Sequence, residues 1–176
     1  MATGHVILPV AGAYLPDGSG SGNAAARPTR TISSGTQTTN SAKVTLDELL
    51  FDPSTDQHAF WAFTLPSDYA SGGTLRLTFS TRGTSANVVR WKAAAGILIP
   101  GTTDGDALVF DTVVGVDGTP STTQGVTTQV TVALTMTNGA ANRPIVIMVG
   151  RDPDHANDTN ANDAVLVAAT FEYLTT

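Results

Sequence analysis

Val126-Thr-Thr-Gln-Val-Thr-Val-Ala-Leu-Thr-Met-Thr137 is the stretch whose reading decides the fold. Val126, Thr128, Val130, Val132, Leu134 and Met136 recur at every second position, with Thr127, Gln129, Thr131, Ala133, Thr135 and Thr137 between them. Successive side chains of a strand point to opposite faces, so this spacing predicts one long β-strand over 126–137 with an apolar face and a threonine-rich face. Asn138-Gly139, a turn-forming dipeptide, ends it.

The same alternation recurs on both sides of this stretch. Ala59 to Leu65 sets Trp61, Phe63 and Leu65 on one face, and Pro66 closes the strand. Thr74 to Thr81 sets Leu75, Leu77 and Phe79 inward against Arg76, Thr78 and Ser80 outward. Asn87 to Ile99 opposes Val89, Trp91 and Ala93 to Arg90 and Lys92, with Gly96 read as a bulge or bend. Ala107 to Val116 lies between Asp104-Gly105 and Asp117-Gly118; Pro144 to Val149 and Ala164 to Tyr173 complete the series. Val44 to Phe51 reads as strand or helical turn, ended by Pro53. About eight strands with turn signals and no amphipathic helix predict an all-β, antiparallel β-sandwich of jelly-roll-like type. Trp61 and Trp91, in phase with apolar neighbours, belong to its core.

Residues 1–42 differ in composition. His5-Val-Ile-Leu-Pro-Val-Ala-Gly-Ala-Tyr-Leu15 is apolar but broken by Pro9 and Gly12, and Pro16-Asp-Gly-Ser-Gly-Ser-Gly-Asn23 has the composition of a flexible spacer. A Thr/Ser tract over Thr29 to Ser41 follows. The division expected is an N-terminal arm over 1–42 and a sandwich domain over 43–176. The arm's Val6, Ile7, Leu8, Val10, Tyr14 and Leu15 would then contact a partner. The other reading of this segment is a first strand of the same domain followed by a long loop.

Composition narrows the function classes. The 176 residues suit one domain, and only 14% are charged against about 25% in typical domains. Neutral Thr-, Ser- and Ala-rich surfaces suit protein packing, since little charge must be desolvated there. A net charge of −6, a pI near 4.7 and scattered basic residues disfavour nucleic acid. The absence of cysteine excludes disulfides and thiolate metal sites. No apolar run approaches the roughly 20 residues of a membrane span, and the N-terminus has no signal-peptide pattern, so cytoplasmic synthesis is expected.

No catalytic motif is present. His5, His58 and His155 stand far apart in sequence, no Gly-x-Ser-x-Gly elbow, phosphate loop or His-Glu-x-x-His occurs, and Gly18-Ser-Gly-Ser-Gly22 follows no buried strand. No cofactor and no enzymatic activity are expected. Arg151 to Asp163 gathers Asp152, Asp154, Asp158 and Asp163, ligand types suited to a hard cation, but in no EF-hand spacing. The structural reading is that Arg151, in phase with Ile147 and Val149, pairs with Asp158 or Asp163 to pin the loop. Carbohydrate binding needs exposed aromatic platforms. Tyr14, Phe60 and Tyr69 are the aromatics not clearly in core phase.

Several segments together resemble small β-sandwich virion structural proteins of tailed bacteriophages, of the capsid decoration or cement type. They are Trp61-x-Phe-x-x-Pro66, Gly73-Thr-Leu-Arg-Leu-Thr-Phe79, Val89-Arg-Trp91, the Val130 to Leu134 strand, Ile147 to Asp152, and Asp158-Thr followed by Asp163-Ala-Val-Leu and Glu172-Tyr173. The resemblance covers roughly residues 58–174 and carries no catalytic residues. It implies a protein of the outer capsid surface, made in the host cytoplasm and tying major capsid protein subunits together, with homotrimers favoured. Such a protein would bind only the expanded shell and stabilise it by linkage. The alternative is a tail-fibre or host-recognition β-sandwich that grips a glycan.

Overall fold

The computed structural model describes residues 2–16, 29–32 and 44–176. Eleven strands are present among them: β1 (Thr3–Leu8), β2 (Thr29–Ile32), β3 (Val44–Asp47), β4 (Leu49–Phe51), β5 (Gln57–Thr64), β6 (Tyr69–Thr81), β7 (Val89–Ile97), β8 (Val114–Gly118), β9 (Thr128–Ala133), β10 (Pro144–Arg151) and β11 (Ala164–Thr175). The first sheet runs β1-β11-β6-β9, with β4 also on β11; the second runs β5-β10-β7-β8; β2 and β3 form a separate pair. Every pairing is antiparallel. The chain is thus the two-layer, all-β sandwich that its alternation predicts.

The two inner faces make one core. Leu75, Leu77 and Phe79 from β6 and Ala169 and Phe171 from β11 join Trp61, Val89, Trp91, Ala93, Ile145, Ile147 and Val149 from the second sheet, all buried. Trp91 meets Phe51 and Phe79 edge-on, at centroid distances of 5.2 and 5.4 Å, an arrangement favoured by the ring quadrupoles. Ser80, expected outward, is buried.

One end of the sandwich is closed by a charge pair. Arg151 ends β10 facing inward and is fully buried. Its Nε donates to Asp158 Oδ2 and its Nη2 to Asp158 Oδ1, both at 2.8 Å, a bidentate fork. Nη1 donates to the Asn162 carbonyl at 2.8 Å and the Phe51 carbonyl at 3.3 Å, and Nη2 also donates to the Asn160 carbonyl. Asp158 in turn accepts from the Arg90 amide at 2.9 Å. The aspartate-rich loop is therefore pinned by Arg151, and of the two partners expected it uses Asp158.

Three expectations need correction. The strand over 126–137 is shorter: β9 ends at Ala133, and after a last contact from the Leu134 amide to the Gly73 carbonyl the chain turns, with the Thr137 amide bonded to Asp111 Oδ2 and Asn138 at φ 63°. Ala107 to Val116 is strand only from Val114. Its earlier part lies across β7: Leu108 sits where a Gly96 side chain would be, and the Asp111 amide donates to the Ala95 carbonyl. Gly96 thus makes room for a covering segment.

The third correction concerns the arm. β1 pairs with β11 of its own chain over Thr3–Leu8, continuing the edge that β4 occupies at Ala164–Leu166. The chain then crosses the open side of the sandwich. The Pro9 carbonyl accepts from Trp61 Nε1 at 2.8 Å, and Tyr14 exchanges both backbone hydrogen bonds with Phe60 of β5, at 2.7 and 2.8 Å. Leu8 and Val10 are buried in the chain's own core, with Val6 and Leu15 packed against it, so these four are not free for a partner. Only Ile7 and Tyr14 among the six stay exposed. Gly18 to Gly22 and most of the Thr/Ser tract lie outside the described residues.

Leu8→Ala should cost about 2–5 kcal/mol in chemical denaturation, the usual range for a buried leucine, whereas Ile7→Ala should stay within about 0.5 kcal/mol. Equal small effects would mean that β1 does not dock on its own chain. Arg151→Met should cost about 3–5 kcal/mol by leaving Asp158 buried and unpaired, while Asp154→Asn on the exposed part of the loop should change stability by less than about 0.5 kcal/mol.

Candidate functional site

The outer face of the second sheet carries exposed Tyr14 and half-buried Phe60. Residues directly opposite in an antiparallel ladder share a face, and Phe60 lies opposite Met148, which lies opposite Ala94. Tyr14 joins this row from the far side of Phe60 through its isolated bridge. The row therefore reads Tyr14, Phe60, Met148, Ala94 across four adjacent backbone segments, running from exposed Tyr14 through half-buried Phe60 and Met148 to fully buried Ala94. Tyr14 keeps 65% of its surface exposed.

The covering segment adds a second ring. Phe110 lies 6.0 Å from Phe60, centroid to centroid, with planes 39° apart, and His58 stacks on the other side at 6.4 Å and 25°. His58 and Phe60 are alternate residues of β5, so both project from this face. The imidazole lies over Gly150, where a Cβ would stand 2.8 Å from its ring. Val109 and Val113 project into solvent from the same covering segment. The result is a shallow apolar patch, made of rings rather than of a deep cleft.

Polar groups border it on the strand row beyond His58. Lys92, on β7, places Nζ 2.5 Å from Asp56 Oδ2 and 3.8 Å from Asp152 Oδ1. Arg90 donates to Asp117 Oδ1 at 2.7 Å, and Asn157 Nδ2 donates to Asp117 Oδ2 at 2.7 Å. The hydrogen bond from Arg90 holds the Asp117 carboxyl below its ordinary range, with smaller help from Asn157. These bases are already neutralised by carboxylates, so the border presents no excess positive charge to an anionic ligand.

Tyr69, the third aromatic in doubtful phase, is buried; burial raises its phenol pKa. Its ring lies tilted against Tyr173, 5.8 Å between centroids, and forms no part of the patch. His155 sits in the pinned loop, where Nδ1 accepts from the Asn157 amide at 3.1 Å. Asp158 and the backbone of the loop are taken up by Arg151, and among the described residues no group of three or more His, Asp or Glu side chains could hold a metal ion. Phe110 was missed in the sequence because its alternation placed it in a strand. Its pairing with Phe60 depends on the covering segment crossing β7.

No protein-family model matches this chain, and no curated protein matches it. Solved structures do. A family 11 carbohydrate-binding module from Clostridium thermocellum, in complex with a β-1,3-1,4-mixed-linked tetrasaccharide, is 13% identical, with 97% of this chain and 96% of that chain covered and a TM-score of 0.47. CBM27-1 of Caldicellulosiruptor saccharolyticus, in complex with mannohexaose, is 8% identical over 95% of this chain and 96% of its own, at 0.43. TmCBM61, in complex with β-1,4-galactotriose, is 9% identical over 88% and 92%, at 0.39. None of the three is a phage virion protein, and at these scores the likeness decides nothing about what this chain binds.

Proposed function

We propose that this chain is a non-catalytic carbohydrate-binding β-sandwich that holds a neutral glycan on the Tyr14, Phe60 and Phe110 face of its second sheet. The observation that carries the proposal is the bridge that sets exposed Tyr14, at the end of the N-terminal crossing, beside half-buried Phe60 of β5, with half-buried Phe110 against Phe60. A pyranose ring presents one face of C–H bonds and an edge of hydroxyls. It gains by packing that face on an aromatic ring while its hydroxyls reach polar groups beside the ring. Here the Tyr14 hydroxyl is part of the platform, and His58 and the Lys92–Asp56 pair lie within the same face.

Charge points the same way. The chain is acidic overall and the cations near the patch are paired, which disfavours sulfated or uronate-rich polymers and leaves neutral ones. Small-molecule catalysis needs a cleft with converging ionisable groups, and the patch is shallow. The capsid-decoration reading would use the same surface for a protein partner instead.

Retention on insoluble cellulose, mannan, xylan and galactan tests the proposal. Tyr14→Ala and Phe110→Ala should each weaken retention by about 0.5–1.5 kcal/mol, roughly 2- to 12-fold. Tyr14→Ala should leave stability within about 0.5 kcal/mol. Val126→Ala, at an exposed apolar position outside the row, should bind as the parent does. Failure to bind any of these polymers, or any glycan on an array, would sink the proposal.

A further inference from the structure

The outer face of the first sheet carries a groove of about 330 Å³ that the aromatic patch does not use. It is lined by Thr3, Gly72, Gly73, Thr74, Glu172 and Leu174, with the Tyr173 backbone strand beneath them. Register places these residues together: Thr3 lies opposite Leu174, His5 opposite Glu172, and Glu172 opposite Thr74. Glu172 Oε1 receives Arg76 Nε at 2.9 Å and Arg76 Nη2 at 2.8 Å, with His5 Nδ1 3.6 Å away. All three contacts fall on the same oxygen. Among the described residues no donor reaches Oε2.

The floor of the groove is a bulge. Between Ser71–Leu174 and Thr74–Glu172 the β6 strand has two residues, Gly72 and Gly73, where β11 has only Tyr173. The first of them adopts φ +74°, a left-handed conformation that favours glycine, and a Cβ there would meet nothing within 4 Å. Gly72 is therefore required by the backbone, and it lines the groove together with Glu172. Gly73 faces the other way, where a Cβ would stand 2.8 Å from Met136 and 2.9 Å from Phe171. Bulges of this kind leave one residue outside the ladder and are common beside binding sites.

We infer that this groove is a second binding site, for the hydroxyl groups of a neutral sugar residue. Glu172 Oε2 would accept from one hydroxyl, an Arg76 N–H or Thr74 would reach its neighbour, and Leu174, 40% exposed, would pack on the ring's C–H face. The Glu172–Arg76 pair carries no net charge, so the groove is matched to a polyol rather than to a phosphate or a carboxylate. The ligand class rests on the glycan reading of the aromatic face; the site does not, because it lies on the opposite sheet and shares no residue with it. Two sites on opposite faces would let one molecule bridge two glycan chains, which raises avidity for a polymer without any new contact.

Amide chemical shifts during titration with mixed-linkage β-glucan tetrasaccharide, and separately with mannohexaose, test the inference in the full chain. At least one probe should move the Thr3, Gly72, Thr74 and Leu174 amides, and should still move them in a Tyr14→Ala/Phe110→Ala variant. Glu172→Gln should weaken that response by about tenfold or more, the loss expected for a charge-assisted hydrogen bond, and leave the Tyr14 side unchanged. Shifts confined to the aromatic face would overturn the second site and keep the first. A groove response that vanishes with the aromatic variant would overturn its independence, and no response on either face to both probes would overturn both sites.

Discussion

The buried Arg151–Asp158 pair is the contact on which the arrangement of this sandwich depends. Removing a guanidinium and a carboxylate from water costs several kcal/mol per ion, offset only when the geometry is good and the remaining donors and acceptors are met. Here they are met: the two Asp158 oxygens take the fork, and the carbonyls of Asn160, Asn162 and Phe51 take the other N–H groups. Asp158 also accepts from the Arg90 amide and shares the Asn160 amide with the Val88 carbonyl. Through these bonds one side chain ties β10 and β7 of one sheet to β4 of the other, and fixes the loop that leads into β11.

That commitment decides where function can lie. The loop richest in aspartate is turned inward on Arg151, and the core between the sheets is filled with Trp91, Phe51, Phe79 and Leu side chains. The open side of the sandwich is closed by the chain's own N-terminal crossing, held by Trp61 and Phe60. Among the described residues, the outside of each sheet carries the groups proposed for recognition. On one outer face stand rings; on the other, a carboxylate–guanidinium pair beside a bulge. The two faces are built by the same alternation that fills the core, since every inward residue of a strand has outward neighbours.

Much of this was legible in the residues. The period-two runs through Leu75, Leu77 and Phe79 and through Ile145, Ile147 and Val149 define the inner faces. The same phase puts Arg151 inward, which is why its pairing with Asp158 could be read. The N-terminal segment could not be settled that way. An apolar strand pairs equally well with any free edge, and nothing local says that Val6 and Leu8 belong to β11 of the same chain, more than 160 positions away. The 107–113 segment misled for a similar reason: its apolar spacing fits a strand, but Leu108 answers to the missing side chain at Gly96. Tyr14 and Phe60 stood out only as aromatics off the core phase, and their adjacency needs the bridge. Gly72-Gly73 gave no distinct signal, since a glycine pair in a strand reads as a weak spot until the partner strand shows one residue fewer.

Native-state hydrogen exchange of the Arg90 and Asn160 amides tests the central claim most directly. If the Arg151–Asp158 clamp is integral to the core, these amides exchange only through global unfolding, with the same opening free energy as Leu77 on β6 and Ile147 on β10. Exchange through a local opening, several kcal/mol below the global value, would show a loop that detaches by itself and a sandwich that holds together without it.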